Sequence, residues 1–182
     1  MGAATGGRTW RAMILLALGA NLPSPEFGPP QATLQVALSL LPAYGAEVAA
    51  CSSWYESPAV PPSAQPDYVN AVARLTTRLT PEALLERLHL LEARLGRQRR
   101  QRWEPRVADL DLLAFHRRVR EANATSPLVL PHARMSDRAF VLAPLAELAP
   151  RWRHPVSGLT ARALLRALPA AARAQVVRLA AA

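Results

Sequence analysis

The sequence predicts an α+β fold of ferredoxin-like plan, a βαββαβ core whose antiparallel sheet is flanked by helices. Three observations lead there. Apolar patterning alternates between strand-like runs and helical spacing in the order β-α-β-β-α-β between residues 12 and 115. Proline-, glycine- and serine-rich stretches punctuate those runs, yet none is a linker that would split the chain, and no internal repeat is present. Finally, 182 residues with 51% hydrophobic and 19% charged content describe one globular domain, 1–182, large enough to bury a real core.

Residues 1–11 are expected to fray. Ala12 to Leu18 then reads as a buried central strand, followed by a Gly-Ala-Asn-Leu turn. From Thr33 to Leu41 apolar residues fall at helical spacing, and Pro42 predicts the stop. Glu47 to Tyr55 is a second strand, and four prolines between Ser57 and Pro66 make an irregular loop. Tyr68 to Leu79 alternates as a third strand. A helix starts at Thr80-Pro81-Glu82, with threonine as N-cap and proline at the first position. It buries Leu84, Leu85, Leu88, Leu91 and Leu95 and ends at Gly96. Asp109 to Phe115 is the fourth strand, and Arg117 to Asn123 a short polar excursion. Met135 to Leu148 is a helical run interrupted at Pro144, Thr160 to Leu168 a final helix, and 169–182 an alanine-rich tail.

Every one of the 22 basic residues is arginine, and the net charge is +9. A chain without lysine has no P-loop lysine, no Schiff-base lysine and no kinase strand lysine, so any nucleotide is handled without them. The charge fits an anionic partner, but arginine and alanine enrichment by base composition would produce it equally. Cys51 is the only cysteine, which excludes a disulfide framework and cysteine-based zinc. The histidines (His89, His116, His132, His154) lack the i, i+4 pairing of a helical metal site. Arg8 and Arg11 before the apolar residues 12–20 mimic a secretory signal, but that run is short and reads as the first strand. No stretch approaches the roughly 20 apolar residues of a membrane-spanning helix. The expectation is a cytoplasmic protein without a membrane or nucleic-acid partner.

The most informative segment is Arg102 to Asp111, Arg-Trp-Glu-Pro-Arg-Val-Ala-Asp-Leu-Asp. On a strand Asp109 and Asp111 share one face while Leu110 and Leu112 share the other. Carboxylates roughly 7 Å apart on a strand face repel unless a cation lies between them. Mg²⁺ takes oxygen ligands of this kind, one or two carboxylates plus substrate phosphates. Neighbouring guanidiniums would grip the remaining phosphate oxygens in pairs. The combination points to phosphoryl-type transfer from a nucleotide.

Six blocks in register extend this. They are Leu18-Gly-Ala-Asn-Leu22, Ser52-Ser-Trp-Tyr-Glu-Ser-Pro58, Gln65-Pro-Asp-Tyr-Val-Asn-Ala71, Leu91-Glu-Ala-Arg-Leu-Gly-Arg97, Arg102 to Asp111, and Leu130 to Leu142. Together they resemble the 6-hydroxymethyl-7,8-dihydropterin pyrophosphokinase family, from Ile14 to about Gly158. The resemblance implies transfer of pyrophosphate from ATP to a pterin alcohol in folate biosynthesis; the expected state, which no residue specifies, is a monomer. It implies two Mg²⁺ ions held by Asp109 and Asp111, and catalytic roles for those two with Arg97 and Arg106. It places ATP near Glu92, Arg99, Leu112, His132 and Arg138. The pterin would stack between Tyr68 and Phe140 and hydrogen-bond to Asn70, with main-chain groups around Ser57, Pro58 and Val60. Trp103 would either cover the pterin when its loop closes or simply anchor that loop.

The chain departs from the family pattern at Glu104, where glycine is usual, at Val107-Ala108, at Pro127 and at Ala133. A different class of reading is a basic ferredoxin-like module that binds RNA on its open sheet. That would require exposed strand aromatics in an RNP pattern, which the sequence lacks.

Overall fold

The structure is a computed structural model that describes residues 13–97, 105–122 and 127–180. Its strands are β1 (Ile14–Ala20), β2 (Ala46–Cys51), β3 (Tyr55–Ser57), β4 (Tyr68–Thr77), β5 (Asp109–Phe115) and β6 (Val177–Arg178). Its helices are α1 (Pro30–Leu40), α2 (Pro81–Arg94), α3 (Ala139–Leu148), α4 (Ala161–Ala167) and α5 (Ala170–Ala174). All pairings are antiparallel, in the order β5-β1-β4, with β2 and β3 both lying along the outer edge of β4. Taking β2 and β3 as one interrupted strand, this is the ferredoxin-like plan.

Two cores form because strand side chains alternate. Leu16, Leu18, Leu110 and Leu112 meet α1 and α2 on one face, with Leu34, Ala37, Leu84, Leu88, Leu91 and Leu95. The α2 leucines recur at helical spacing, and burying each contributes roughly 1.5–3 kcal/mol. That outweighs propensity differences of under about 1 kcal/mol per residue, so packing holds α2 in place. Thr80 caps it as expected, its hydroxyl accepting from the Ala83 amide at 3.2 Å. On the other face Leu15, Val72, Leu113 and Ala114 pack against Met135, Val141, Leu142, Leu145, Trp152 and Leu164. The helices of the βαββαβ unit therefore share one face, and α3 and α4 close the other. That covered second face removes the open sheet an RNA-binding module would use.

Several boundaries differ from expectation for physical reasons. α1 begins at Pro30 rather than Thr33, since proline at a first helical turn gives up no intrahelical bond. The expected second strand divides into β2 and β3. α3 runs through Pro144, and the break falls earlier, at Arg138, whose extended backbone separates a 3-10 turn (Met135–Asp137) from α3. The alanine-rich tail is built into the fold, with β6 pairing to β3. Among the described residues no helix is long and apolar enough to cross a membrane.

Candidate active site

The second core stops partway along the strands, and the cleft begins there. On that face Leu15 of β1 is followed by Ala17 and Gly19, Val72 of β4 is preceded by Asn70 and Tyr68, and Leu113 of β5 by Asp111 and Asp109. Register aligns these substitutions, with Gly19 opposite both Asp109 and Asn70, and Ala17 opposite both Asp111 and Val72. Where neighbours supply leucine or valine the sheet is packed; where β1 supplies only alanine and glycine a cavity of about 280 Å³ remains. Its walls are the Ser57–Pro61 loop, the end of α2, the approach to β5, and the segment from His132 to Phe140.

Asp109 is gripped by two guanidiniums, Arg97 at 2.7 Å and Arg106 through a close ion pair. Arg97 also pairs with Glu92, whose side chain is only 2% exposed. Glu92 accepts from the Leu110 amide at 2.8 Å. A buried carboxylate is tolerable only with such partners, so Glu92 fixes both Arg97 and the start of β5. Burial works against the charge of Arg106, but Asp109 more than offsets it and raises its pKa.

Asp111 lacks that compensation. Burial in the cleft, and secondarily the Asp109 charge, push its carboxyl above the usual range. His132 lies 3.8 Å away through Nε2. Burial, working against the pull of Asp111, lowers the His132 pKa and favours the neutral imidazole. Arg138 is likewise lowered, by burial and then by Arg134.

At the other end of the row Asn70 donates to the Ser57 hydroxyl at 3.0 Å and to the Tyr68 carbonyl at 3.3 Å. Tyr68 and Phe140 both line the cavity from different elements, β4 and α3. Arg138 lies over the Phe140 ring at 5.4 Å.

The cavity thus brings together Arg97, Arg106, Asp109, Asp111, Glu92, His132 and Arg138 with Ser57, Pro58, Val60, Tyr68, Asn70 and Phe140. Leu112 is the exception. Its side chain, 3% exposed, packs in the α1/α2 core on the opposite face, because it alternates with the two aspartates. Arg99, Trp103 and Glu104 lie outside the described residues.

Gly19, Gln65, His89 and Arg134 also line the cavity, without having been assigned from sequence. Asn21 supports it from beneath. Buried to 2%, it accepts from the Arg106 amide at 2.7 Å and donates to Gln65 at 3.2 Å and the Pro66 carbonyl at 3.1 Å. The Leu18–Leu22 block was the signal for both Gly19 and Asn21.

Hard oxygen donors on one strand face, one of them with its pKa pushed above the usual range by burial and by the other's charge, fit divalent cations. Among the described residues no group of three or more acidic, histidine or cysteine side chains gathers to hold a metal. Protein alone would leave such ions incomplete, and phosphate oxygens and water would fill the remaining positions.

Fold and site define a ferredoxin-like protein with an arginine-walled, acid-floored cleft suited to polyphosphate beside an aromatic slot. Residues 15–150 match the family model of 7,8-dihydro-6-hydroxymethylpterin-pyrophosphokinase. A 2-amino-4-hydroxy-6-hydroxymethyldihydropteridine pyrophosphokinase from Synechocystis sp. is 43% identical over 147 residues, 80% of this chain and 71% of that one. The Bacillus subtilis protein of the same name is 42% identical over 134 residues, 73% of this chain and 75% of that one. The crystal structure of Plasmodium falciparum HPPK-DHPS wild type with pteroate superposes with a TM-score of 0.64 at 13% identity. It supports the fold alone; the match covers 85% of this chain but only 44% of that one. The chain belongs to the 7,8-dihydro-6-hydroxymethylpterin-pyrophosphokinase family.

Proposed function

We propose that this protein transfers the pyrophosphoryl group of ATP to the hydroxymethyl oxygen of 6-hydroxymethyl-7,8-dihydropterin, releasing AMP. The observation that supports the reading is the row Asp109–Gly19–Asn70, in which the acid that would hold metal and phosphate and the amide that would meet the pterin share one floor. Asn70, its amide N–H groups held by Ser57 and Tyr68, offers its Oδ1 acceptor to the pyrimidine edge, and Tyr68 and Phe140 offer faces for the bicycle. Arg97, Arg106 and Arg138 bind phosphate oxygens, with His132 as a neutral donor beside Asp111. Asp109 and Asp111 would hold two Mg²⁺ ions, which when bound neutralise the phosphates and align donor and acceptor oxygens.

In this reading the hydroxymethyl oxygen attacks the β-phosphorus in line, and the bond to the α–β bridging oxygen breaks. Catalysis is positioning and electrostatics, without a covalent intermediate and with no side chain assigned as general base. Arg97 and Arg106, which neutralise Asp109 here, are placed to turn to phosphate once the acids are otherwise neutralised. Arg99 and Trp103, carried by the segment before Arg106, would complete the nucleotide and pterin contacts. A monomer in the cytoplasm belongs to the same proposal, and the single cysteine suits a reducing compartment.

The deciding assay measures AMP from ATP with and without the pterin, and with and without Mg²⁺. Pterin-dependent and Mg²⁺-dependent AMP is the expected result. ADP in its place, or AMP independent of pterin, would overturn the assignment.

A further inference from the structure

Glu147, in the last turn of α3 and far along that helix from the cleft, holds four groups together. Its Oε1 accepts from the Ser53 amide and the Ser53 hydroxyl, both at 3.0 Å. Its Oε2 accepts from the Tyr55 hydroxyl at 2.6 Å, and Arg178 of β6 stands 3.9 Å from the same oxygen. Arg178 also donates to the Ser53 hydroxyl at 2.7 Å. Alongside, the Leu179 amide donates to the Trp54 carbonyl at 2.9 Å, and β6 pairs with Tyr55 and Glu56.

What these bonds fix is β3. It has only three residues and, among the described residues, pairs apart from β6 only with β4. Yet it carries Ser57, bonded to Asn70, and runs directly into Pro58 and Val60 on the cleft wall. α3 carries Phe140 at its other end, on the facing wall. A single carboxylate therefore ties the helix bearing one pterin wall to the strand bearing the other. The family match ends at residue 150, so the β6 strap lies beyond it.

We propose that Glu147, braced by Arg178 and the β6 strap, is a positioning residue that sets the spacing of the pterin slot and thereby pterin affinity, leaving the α2 and β5 side of the nucleotide half, with Arg97, Arg106 and the two aspartates, in place. The inference rests on the pterin reading above. Arg97, Arg106 and the two aspartates of the phosphate end hang on α2, β5 and the Asn21 bonds, none of which involves Glu147; of the phosphate residues only Arg138, the N-cap of α3, shares its helix.

The test uses full-length Glu147→Ala, Glu147→Gln and Arg178→Ala, with KM measured separately for pterin and ATP. Losing charge-assisted bonds that hold a binding wall is expected to raise the pterin KM about tenfold in Glu147→Ala. The ATP KM should stay within about twofold of wild type, a change below roughly 0.4 kcal/mol. Glu147→Gln keeps an acceptor for Ser53 and should recover most of the affinity, and Arg178→Ala should fall between. If Glu147→Ala does not fold, the other two variants carry the comparison. An unchanged pterin KM, or pterin and ATP constants rising together, would overturn the proposal. A wild-type protein with no pterin-dependent AMP would instead sink the functional reading itself.

Discussion

Asp109 and Asn70 stand in one cross-strand row with only Gly19 between them. Adjacent strands lie about 4.8 Å apart, so the two backbones are separated by roughly 10 Å of floor from which no side chain rises. The acid end of the cleft and the amide end are thereby held at fixed spacing by the hydrogen-bonded ladder of a three-strand segment.

Filling that floor should separate binding from folding. A Cβ at Gly19 would lie 3.5 Å from the Asn70 Oδ1, an ordinary contact. Gly19→Ala should therefore melt no lower than wild type, since glycine within a strand costs roughly 0.5–1 kcal/mol, and keep activity within a few-fold. Gly19→Leu should lower kcat/KM by about a hundredfold or more through obstruction, at nearly unchanged melting temperature. Steady-state kinetics and thermal melts on the pair check this, and an active Gly19→Leu enzyme would place the reacting groups elsewhere.

The two aspartates should lose activity alike and stability unlike. Asp109→Ala and Asp111→Ala are each expected to abolish nearly all pterin-dependent AMP formation. Asp109→Ala also strands Arg97 and Arg106, whereas Asp111 has a carboxyl pKa raised by burial and by Asp109. A raised carboxyl binds protons more readily when folded, so its charge destabilises at neutral pH, and the penalty fades as pH falls through the folded value. Asp111→Asn should accordingly be at least as stable as wild type at neutral pH and lose that advantage in acid. Added Mg²⁺ should raise the wild-type melting temperature more than that of Asp111→Asn. Urea denaturation across the acid range checks the first statement, and thermal melts with and without MgCl₂ check the second.

Asn21 should prove a structural hinge of the site. Asn21→Ala leaves the Arg106 amide without its acceptor and releases Gln65 and Pro66. A buried unsatisfied amide costs about 1–3 kcal/mol, and both the phosphate side and the loop leading to Tyr68 lose their shared anchor. Stability should fall by that order and both substrate constants should rise. Asn21→Asp, which keeps the acceptor and loses the donor, should be intermediate. Wild-type constants for both substrates in Asn21→Ala would remove Asn21 from the site.

Much of this was legible in sequence where local pattern and packing agree. β5 is bounded at Asp109 and Phe115 as its apolar run and turn flanks imply, and α2 carries its cap, proline and leucine stripe in plain order. The paired acids were legible for the same reason, since alternation alone puts them on one face. The same alternation turns the side chain of Leu112, which the resemblance puts near the nucleotide, into the opposite core. What stayed hidden depends on contacts distant in the chain. Gly19 reads as a turn residue until register sets it between Asp109 and Asn70. Glu147 reads as a surface acid on an apolar helix until Ser53 and Tyr55 arrive from more than ninety positions away. The tail reads as alanine-rich filler because two residues of strand leave no periodic signal.

The acid dependence of the Glu147 contact follows from its partners. Burial pushes its carboxyl up, but bonds from Tyr55 and Ser53 and the charge of Arg178 outweigh that and hold it below its ordinary 4.5. A depressed carboxyl contributes stability that is fully present above the unfolded value and is lost as pH falls through the folded one. The stability gap between wild type and Glu147→Gln should therefore stay constant from neutral pH down to about 4.5 and narrow only below it. Tyr55 gives a second readout at the alkaline end. Burial first, then the bond to Glu147 and its charge, push the phenol up to about 12. Removing the carboxylate charge should bring tyrosinate absorbance in at lower pH in Glu147→Gln than in wild type. Titration curves that coincide, together with a gap already closing above 4.5, would mean that Glu147 is not bonded to Tyr55 in solution.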